Sequence, residues 1–191
     1  MDLMWKEESR NTVYQCPIFS LQELKSRSPD GLQTGTFTVL DSPDIAMVIP
    51  IIETEQGREF VMVRQWRHGS QSLSVEFPGG VFNEGEDAAA AGARELREET
   101  GFTAGKLKKL GELSPNPALY TNHLHIFVAE DLKHEDSQDL DPNEFINVEL
   151  VPAATVIESL GQEPYIHAFM GTALAFYLRE NPEIVFQQGQ V

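Results

Sequence analysis

The chain has 191 residues, with 14 Lys and Arg against 30 Asp and Glu and a formal net charge of −16. At a rough prior of about 150 residues per domain, this length predicts one domain with an added arm, enough chain to bury a full core. The charge argues against a nucleic-acid binder or a membrane-surface protein, since phosphate backbones and anionic headgroups would be repelled. It leaves room for a small phosphorylated ligand if a metal ion or a local Arg cluster supplies positive field.

From the start, Met1 to Arg10 carries no apolar h-region, so no secretory signal is expected. Residues 12–19 and 35–40 read as short strands, with turn chemistry at Ser28-Pro29-Asp30-Gly31 between them. The single cysteine, Cys16, excludes an intrachain disulfide framework and fits a reducing, cytoplasmic compartment. Residues 45–53 and 59–65 read as stronger strands joined by a turn at Gln56-Gly57. The longest apolar run, Ile45 to Ile52, is broken by Pro50 and falls far short of the roughly 20 residues that a membrane helix needs. Residues 73–77 read as a strand ended by Pro78-Gly79-Gly80. Residues 87–100 read as a helix, with Asp87 as cap, Ala88 to Ala91 as good helix formers and Gly101 as the stop. Strands are expected at 107–112, 123–129 and 145–151, and helices at 153–160 and 166–179. This order predicts an α/β protein with a mixed sheet and helices packed on its faces. A strand-rich arm is expected over 1–42 and the main domain over 43–191.

The chemistry concentrates where the glycine turn meets the first helix. Glu95, Glu98 and Glu99 stand at i, i+3 and i+4, so the three carboxylates share one helix face. Like charges at that spacing destabilise a bare helix by a few tenths of a kcal/mol per pair. A divalent cation held by oxygen ligands would offset the repulsion, and carboxylates together with substrate phosphates are the usual surroundings of Mg²⁺. The alternative is a solvated acidic face with Arg94 and Arg97 as local partners. The Gly-rich loop directly before the helix favours the metal, because it lets backbone carbonyls and a pyrophosphate approach closely.

The segment Gly80 to Phe102 resembles the Nudix hydrolase signature: a glycine, five residues, a glutamate, seven residues, then Arg-Glu-apolar-x-Glu-Glu-x-Gly-apolar. Gly80, Glu86, Arg94, Glu95, Glu98, Glu99 and Gly101 fill every fixed position, and Leu96 and Phe102 the apolar ones. The resemblance implies an α/β/α sandwich that cleaves a nucleoside diphosphate linked to another moiety, using Mg²⁺ or Mn²⁺. It implies that Glu95, Glu98 and Glu99 hold the metal, with the Gly79 carbonyl as a further ligand and Glu98 and Glu99 counted as catalytic. Glu86 would pair with Arg94 to hold the loop against the helix. Ions bridging the phosphates would stabilise developing charge and lower the pKa of the attacking water.

The flanks resemble ADP-ribose pyrophosphatases within that family. Arg64-Gln65-Trp66-Arg67 ends a strand just before Ser74-Val75-Glu76-Phe77-Pro78-Gly79-Gly80. By that resemblance an Arg of the strand end contacts the diphosphate and Glu76 serves the metal or ribose region. Arg64 and Arg67 are both expected to bind substrate; a regular strand would send them to opposite faces, and Arg67, nearer the loop, is preferred. Pro117, 15 residues after Phe102, stands near the proline that marks ADP-ribose hydrolases; Tyr120, 18 after it, stands near the tyrosine that marks diadenosine polyphosphate hydrolases. Glu144, just before the strand Phe145 to Leu150, best matches the loop glutamate that serves as general base, with Glu135, Asp139 and Asp141 as competitors. His123 and His125 are more readily structural than metal-binding. Trp66 and Trp5 are aromatic faces that suit a nucleobase, and Trp5 lies in an arm that related dimers exchange. The expected function is metal-dependent hydrolysis of ADP-ribose or a related nucleoside diphosphate sugar to a nucleoside monophosphate and a sugar phosphate, by a homodimer that binds neither nucleic acid nor membrane. The alternatives are a dinucleoside polyphosphate hydrolase and a non-catalytic nucleotide-sensing module.

Overall fold

The computed structural model describes residues 2–55, 57–135 and 137–184; Gln56 of the expected turn and Asp136 of the acidic stretch lie outside the described residues. In chain order the elements are β1 (Lys6–Gln15), β2 (Ser20–Arg27), β3 (Thr34–Asp41), β4 (Ile45–Thr54), β5 (Gly57–Arg67), β6 (Ser72–Glu76), β7 (Gly79–Val81), α1 (Ala88–Thr100), β8 (Phe102–Leu113), β9 (Leu124–His134), β10 (Asn147–Pro152), α2 (Ala153–Ser159) and α3 (Ala168–Glu180). No helix among the described residues is long and apolar enough to cross a membrane. The chain divides into two units, the first running to Asp44 and taking in Leu113–Leu124, the second comprising Ile45–Glu112 and the chain from His125 onward.

The first unit is an antiparallel sheet in the order β1-β2-β3. The single strand expected at 12–19 is in fact the end of one strand and the turn to the next. Pro17 has no N–H for a ladder, and the chain reverses there, with Cys16 N donating to Phe19 O at 3.0 Å. β2 was not anticipated, because its few apolar residues, Leu21 and Leu24, do not alternate with the polar ones around them. The segment 113–124 joins this unit through β3: Leu40 N donates to Leu119 O and Thr121 N to Leu40 O, at 2.8 and 3.1 Å.

The second unit is built on a mixed sheet in the order β10-β5-β4-β9-β8, with β6 on β5 and β7 on β4. β4 and β5 pair only over Ile51–Thr54 and Gly57–Phe60. Beyond that they separate: Val63–Arg67 of β5 takes β6 as its partner, and Ile45–Met47 of β4 takes β7. β7 is only three residues long and follows Pro78, so its pattern was too short to read as a strand. The sheet thus opens at the turn that leads into α1.

Both faces are covered, as strand alternation requires. Ala46 and Val48 of β4 pack with Ala91 and Leu96 of α1 and with Phe127 and Ala129 of β9. On the other face Phe60, level with Ile51, meets Phe77 and Tyr177 of α3 edge-on, with ring centroids 5.3 and 5.5 Å apart. Tyr177 is buried, and its hydroxyl accepts from Arg58 Nη1 at 2.7 Å. This layering is the α/β/α sandwich that the resemblance implies. Phe60 has no solvent-exposed surface and anchors α3 to the sheet, so Phe60→Ala should destabilise the protein by about 3–5 kcal/mol, read as a lower urea midpoint.

Candidate active site

Helix α1 is fixed at both ends. Asp87 Oδ1 accepts from Ala89 N and Ala90 N, both at 2.9 Å, which satisfies two donors left over at a helix start. At the other end Gly101 adopts φ of 72° and donates to Arg97 O at 2.8 Å, a left-handed cap that favours glycine. With Ala91 and Leu96 turned to the core, Glu95 and Glu99 face the glycine turn, and Glu98 lies beside Glu95 on the cavity that Arg94 also lines. The approach is close: a Cβ at Gly79 would strike the Ala46 carbonyl, and one at Gly80 the Glu95 carboxylate.

Glu99 is buried, and its Oε2 accepts from Gly79 N at 2.8 Å. Burial pushes its carboxyl up to about 8, helped by the nearby charges of Glu95 and Glu144 and opposed by the Gly79 N–H and Arg67. Burial also raises Glu95, against the pull of Arg94. Arg94 is the hub. It forks onto Glu86 through Nε and Nη2 at 2.9 and 3.0 Å, and its Nη1 donates to Glu95 at 2.8 Å and Glu98 at 3.0 Å. Its Nη2 also reaches Val81 O at 2.9 Å. Glu86 accepts from Asn83 N at 2.9 Å, so the expected Glu86–Arg94 pair ties the turn to the helix.

Among the described residues no three His, Cys, Asp or Glu side chains form a ready-made cation cage. Arg94 Nη1 bridges Glu95 and Glu98 in the way a cation would. The donor set nevertheless suits a hard divalent ion: carboxylates on one helix edge beside the backbone of the glycine turn, and one carboxyl, Glu99, that burial keeps largely protonated near pH 7.

The loop before β10 is strapped to the end of α1. Asp139 N donates to Glu98 O at 2.9 Å, Gln138 Nε2 to Glu99 O at 2.6 Å, and Glu135 N to Gly101 O at 3.1 Å. These bonds satisfy carbonyls that a helix end leaves open. Gln138 Nε2 also reaches Ile146 O at 3.2 Å. Glu144 is thereby brought to a cavity of about 300 Å³ shared with Arg94, Glu95 and Glu98, which Asp139 and Asp141 also line. Its carboxylate accepts from Asp141 N at 3.0 Å.

Arg67 forks onto the buried Glu76, Nε to Oε1 at 2.9 Å and Nη2 to Oε2 at 2.6 Å. Burial would raise the Glu76 carboxyl, but the Arg67 hydrogen bonds and charge outweigh it and hold the group below the usual range. Both residues line a second cavity with Gly79, Gly80 and the half-exposed Trp66. Arg64 points the other way, as strand alternation predicts. It forks onto Glu149 of β10 and is absent from the lining of that cavity. The expectation that it accompanies Arg67 at the diphosphate therefore does not fit its placement. Pro117 lies in the first unit, in the turn that leads to the Leu40–Tyr120 bridge. Trp5, in the same unit, packs edge-on against Phe37 at 5.1 Å. His123 lies 3.7 Å from Asp44, and His125 lies 3.3 Å from Glu112 and meets the Phe82 ring at a tilt, centroids 5.0 Å apart. Asn83, Gln138, Ser74 and His167 escaped the sequence reading: Asn83 fills a variable position of the Gly80–Phe102 segment and Ser74 opens the flank before it, while Gln138 and His167 stand in no motif and only folding brings them to the site.

The raised Glu99 carboxyl makes a pH prediction. Between its ordinary value near 4.5 and about 8 the folded state holds a proton that the unfolded state has lost. Its contribution to stability is therefore complete below 4.5 and is lost as pH rises through 8. Without divalent ions the wild type should lose thermal stability from pH 5 to 8, while Glu99→Gln should show a flatter profile by differential scanning fluorimetry.

Comparison with known proteins gives the family and the fold. The sequence matches the family model of the NUDIX domain over residues 42–170. It is 34% identical over 144 residues to an ADP-ribose pyrophosphatase of Bacillus subtilis, covering 75% of this chain and 76% of that one. It is 30% identical over 151 residues to a methanol dehydrogenase activator of Bacillus methanolicus, covering 78% and 80%. It is 28% identical over 137 residues to the ADP compounds hydrolase NudE of Escherichia coli, covering 72% and 70%. A crystal structure of an ADP compounds hydrolase superposes with a TM-score of 0.80 at 25% identity, covering 100% of both chains.

Proposed function

Because this chain belongs to the NUDIX domain family, its match running over residues 42–170, we propose that it hydrolyses the diphosphate bond of ADP-ribose or a related nucleoside diphosphate sugar. The products are a nucleoside monophosphate and a sugar phosphate. The observation that carries the reading is that Glu95, Glu98 and Glu144 line one cavity, that Glu95 and Glu99 lie against the glycine turn, and that Gly79 and Gly80 of that turn line a second cavity with Arg67. The relatives named for ADP-ribose and ADP compounds support the substrate class.

In this reading Glu95, Glu98, Glu99 and the Gly79 carbonyl hold Mg²⁺ or Mn²⁺. A bound divalent ion supplies charge neutralisation to the diphosphate and a water of lowered pKa. Gly79 and Gly80, with no side chains, admit the diphosphate against the backbone. Arg67, fixed by Glu76, offers its remaining N–H groups to a phosphate oxygen. Glu144 accepts the proton of the attacking water, a role its place on the cavity wall supports. Arg94 bridges Glu95 and Glu98 and ties them to Glu86. Pro117 is assigned to substrate recognition by resemblance, and Trp66 by its aromatic face on the cavity wall. The single Cys16 supports a reducing compartment such as the cytoplasm.

We assign the arm, residues 1–42, to self-association. Every residue of β1 is exposed, and Leu3, Met4, Val13, Tyr14 and Leu32 present large apolar side chains in the first unit. Soluble monomers rarely leave so much apolar surface open, and a second copy of the chain would cover it.

Purified protein given ADP-ribose and Mg²⁺ should release AMP and ribose 5-phosphate, measured by chromatography. Glu144→Gln should lower kcat about 10²- to 10⁴-fold, the range for a lost general base, with KM little changed. No turnover across nucleoside diphosphate sugars rejects the substrate class. Light scattering should report twice the chain mass, and Val13→Asp with Tyr14→Asp should shift it toward one; a wild-type monomer rejects the dimer.

A further inference from the structure

The loop between β9 and β10 carries Glu144 to a cavity where charge works against it. Glu95 and Glu98 come to that cavity from α1, and Asp139, Asp141 and Glu144 from the loop. Arg94 is the one basic side chain among the described residues that line it. The Glu144 charge is felt at both Glu95 and Glu99. Arg97 reaches Asp139 only at 3.5 Å, on an exposed side chain, where solvent screens the attraction. Electrostatics alone therefore drives the loop away from the helix.

Hydrogen bonds hold it in place. The Gly101 cap takes Arg97 O and leaves later carbonyls of α1 open. The loop takes the next two: Asp139 N donates to Glu98 O at 2.9 Å, and Gln138 Nε2 to Glu99 O at 2.6 Å. The same Gln138 nitrogen donates to Ile146 O at 3.2 Å. One side-chain amide, with two protons, thus joins both ends of the excursion 138–146 and fastens them to the helix. Inside the excursion Glu144 N donates to Asp141 O at 2.9 Å, and Asp141 N to Glu144 Oε2 at 3.0 Å. Glu144 therefore sits on a tied segment whose side-chain fastening to α1 is Gln138. A neutral donor is needed at this point. An ionised carboxylate, the group of the nearby Glu135, Asp139 and Asp141, has no proton to give and would repel both carbonyls.

We propose that Gln138 is a positioning residue for the reaction: it staples the excursion 138–146 to the end of α1 and so holds Glu144 beside the α1 glutamates against their mutual repulsion. This rests on the reading of Glu144 as the acceptor of the water proton.

The test is a double-mutant cycle on ADP-ribose hydrolysis with Mg²⁺, comparing wild type, Gln138→Met, Glu144→Gln and the double variant. Methionine keeps the length of the side chain and removes both donor protons. Gln138→Met should lower kcat about 10- to 100-fold, the scale of a misplacement of about 1 Å, with KM within about twofold. In the Glu144→Gln background the same change should cost less than about twofold, because no base is left to misplace. Equal losses in both backgrounds mark a general structural effect and overturn the proposal, as does wild-type kcat in Gln138→Met. Amide hydrogen exchange followed by NMR, without substrate or metal, gives a second readout. The Asp139 N–H should exchange about 10-fold faster in Gln138→Met, the weight of one or two lost hydrogen bonds, while the amides of β9 keep their wild-type rates. Unchanged Asp139 exchange overturns the staple whatever the kinetics. If Glu144→Gln keeps wild-type kcat, the reading of Glu144 fails and the proposal falls with it. If the wild type hydrolyses no nucleoside diphosphate sugar, the substrate reading fails and the exchange measurement alone judges the staple.

Discussion

The hydrogen bond from Gly79 N to the buried Glu99 carboxylate joins the two parts of the site that the chemistry requires, a turn without side chains and a helix edge rich in charge. It is a costly interaction in isolation. A carboxylate taken out of water must be paired or protonated, and this one is pushed toward the protonated form. Its neighbours share the same difficulty on a smaller scale, and Arg94 answers it by contacting Glu86, Glu95 and Glu98 together. A helix edge with more carboxylates than its arginines neutralise, held against a turn without side chains, is what the proposed hydrolysis needs of a site for a diphosphate and its cations.

The sheet makes this possible by opening. Had β4 and β5 paired along their whole length, Gly79 would have had no strand edge to occupy. Because they separate after Ile51 and Phe60, β6 and β7 enter between them, and the connection Phe77-Pro78 turns the chain directly toward α1. Phe77, inside the core against Phe60, anchors that connection. The packing of the interior and the shape of the active turn are therefore one construction.

Much of this was legible in the residues. α1 could be read to its ends, because Asp87 and Gly101 are local signals that need no tertiary partner. The glutamate spacing follows from helical periodicity, whereas the Glu86–Arg94 pair was expected from the family resemblance. Strand ends were less legible: residues 12–19 merged a strand and a turn, and β7 is too short for alternation to register. Arg64 shows a different limit. Alternation correctly sent it to the face opposite Arg67, but its pairing with Glu149 depends on the register of β10 against β5, which no local pattern encodes. Gln138 and His167 are further from reach still, each meaningful only because a distant segment arrives beside it.

The passage of Leu113–Leu124 into the first unit bears on how the chain can be divided. Cutting at the apparent boundary near residue 42 would take away Leu40 and Asp41, and with them the acceptor for Thr121 N, the donor to Leu119 O and the 2.6 Å bond from Thr121 Oγ1 to Asp41. The remaining fragment would carry an orphaned excursion between β8 and β9, with raw backbone edges of the kind that recruit neighbouring chains. Any minimal catalytic fragment would need that excursion redesigned as a short hairpin, because the arm is interlaced with the body in sequence rather than appended to it.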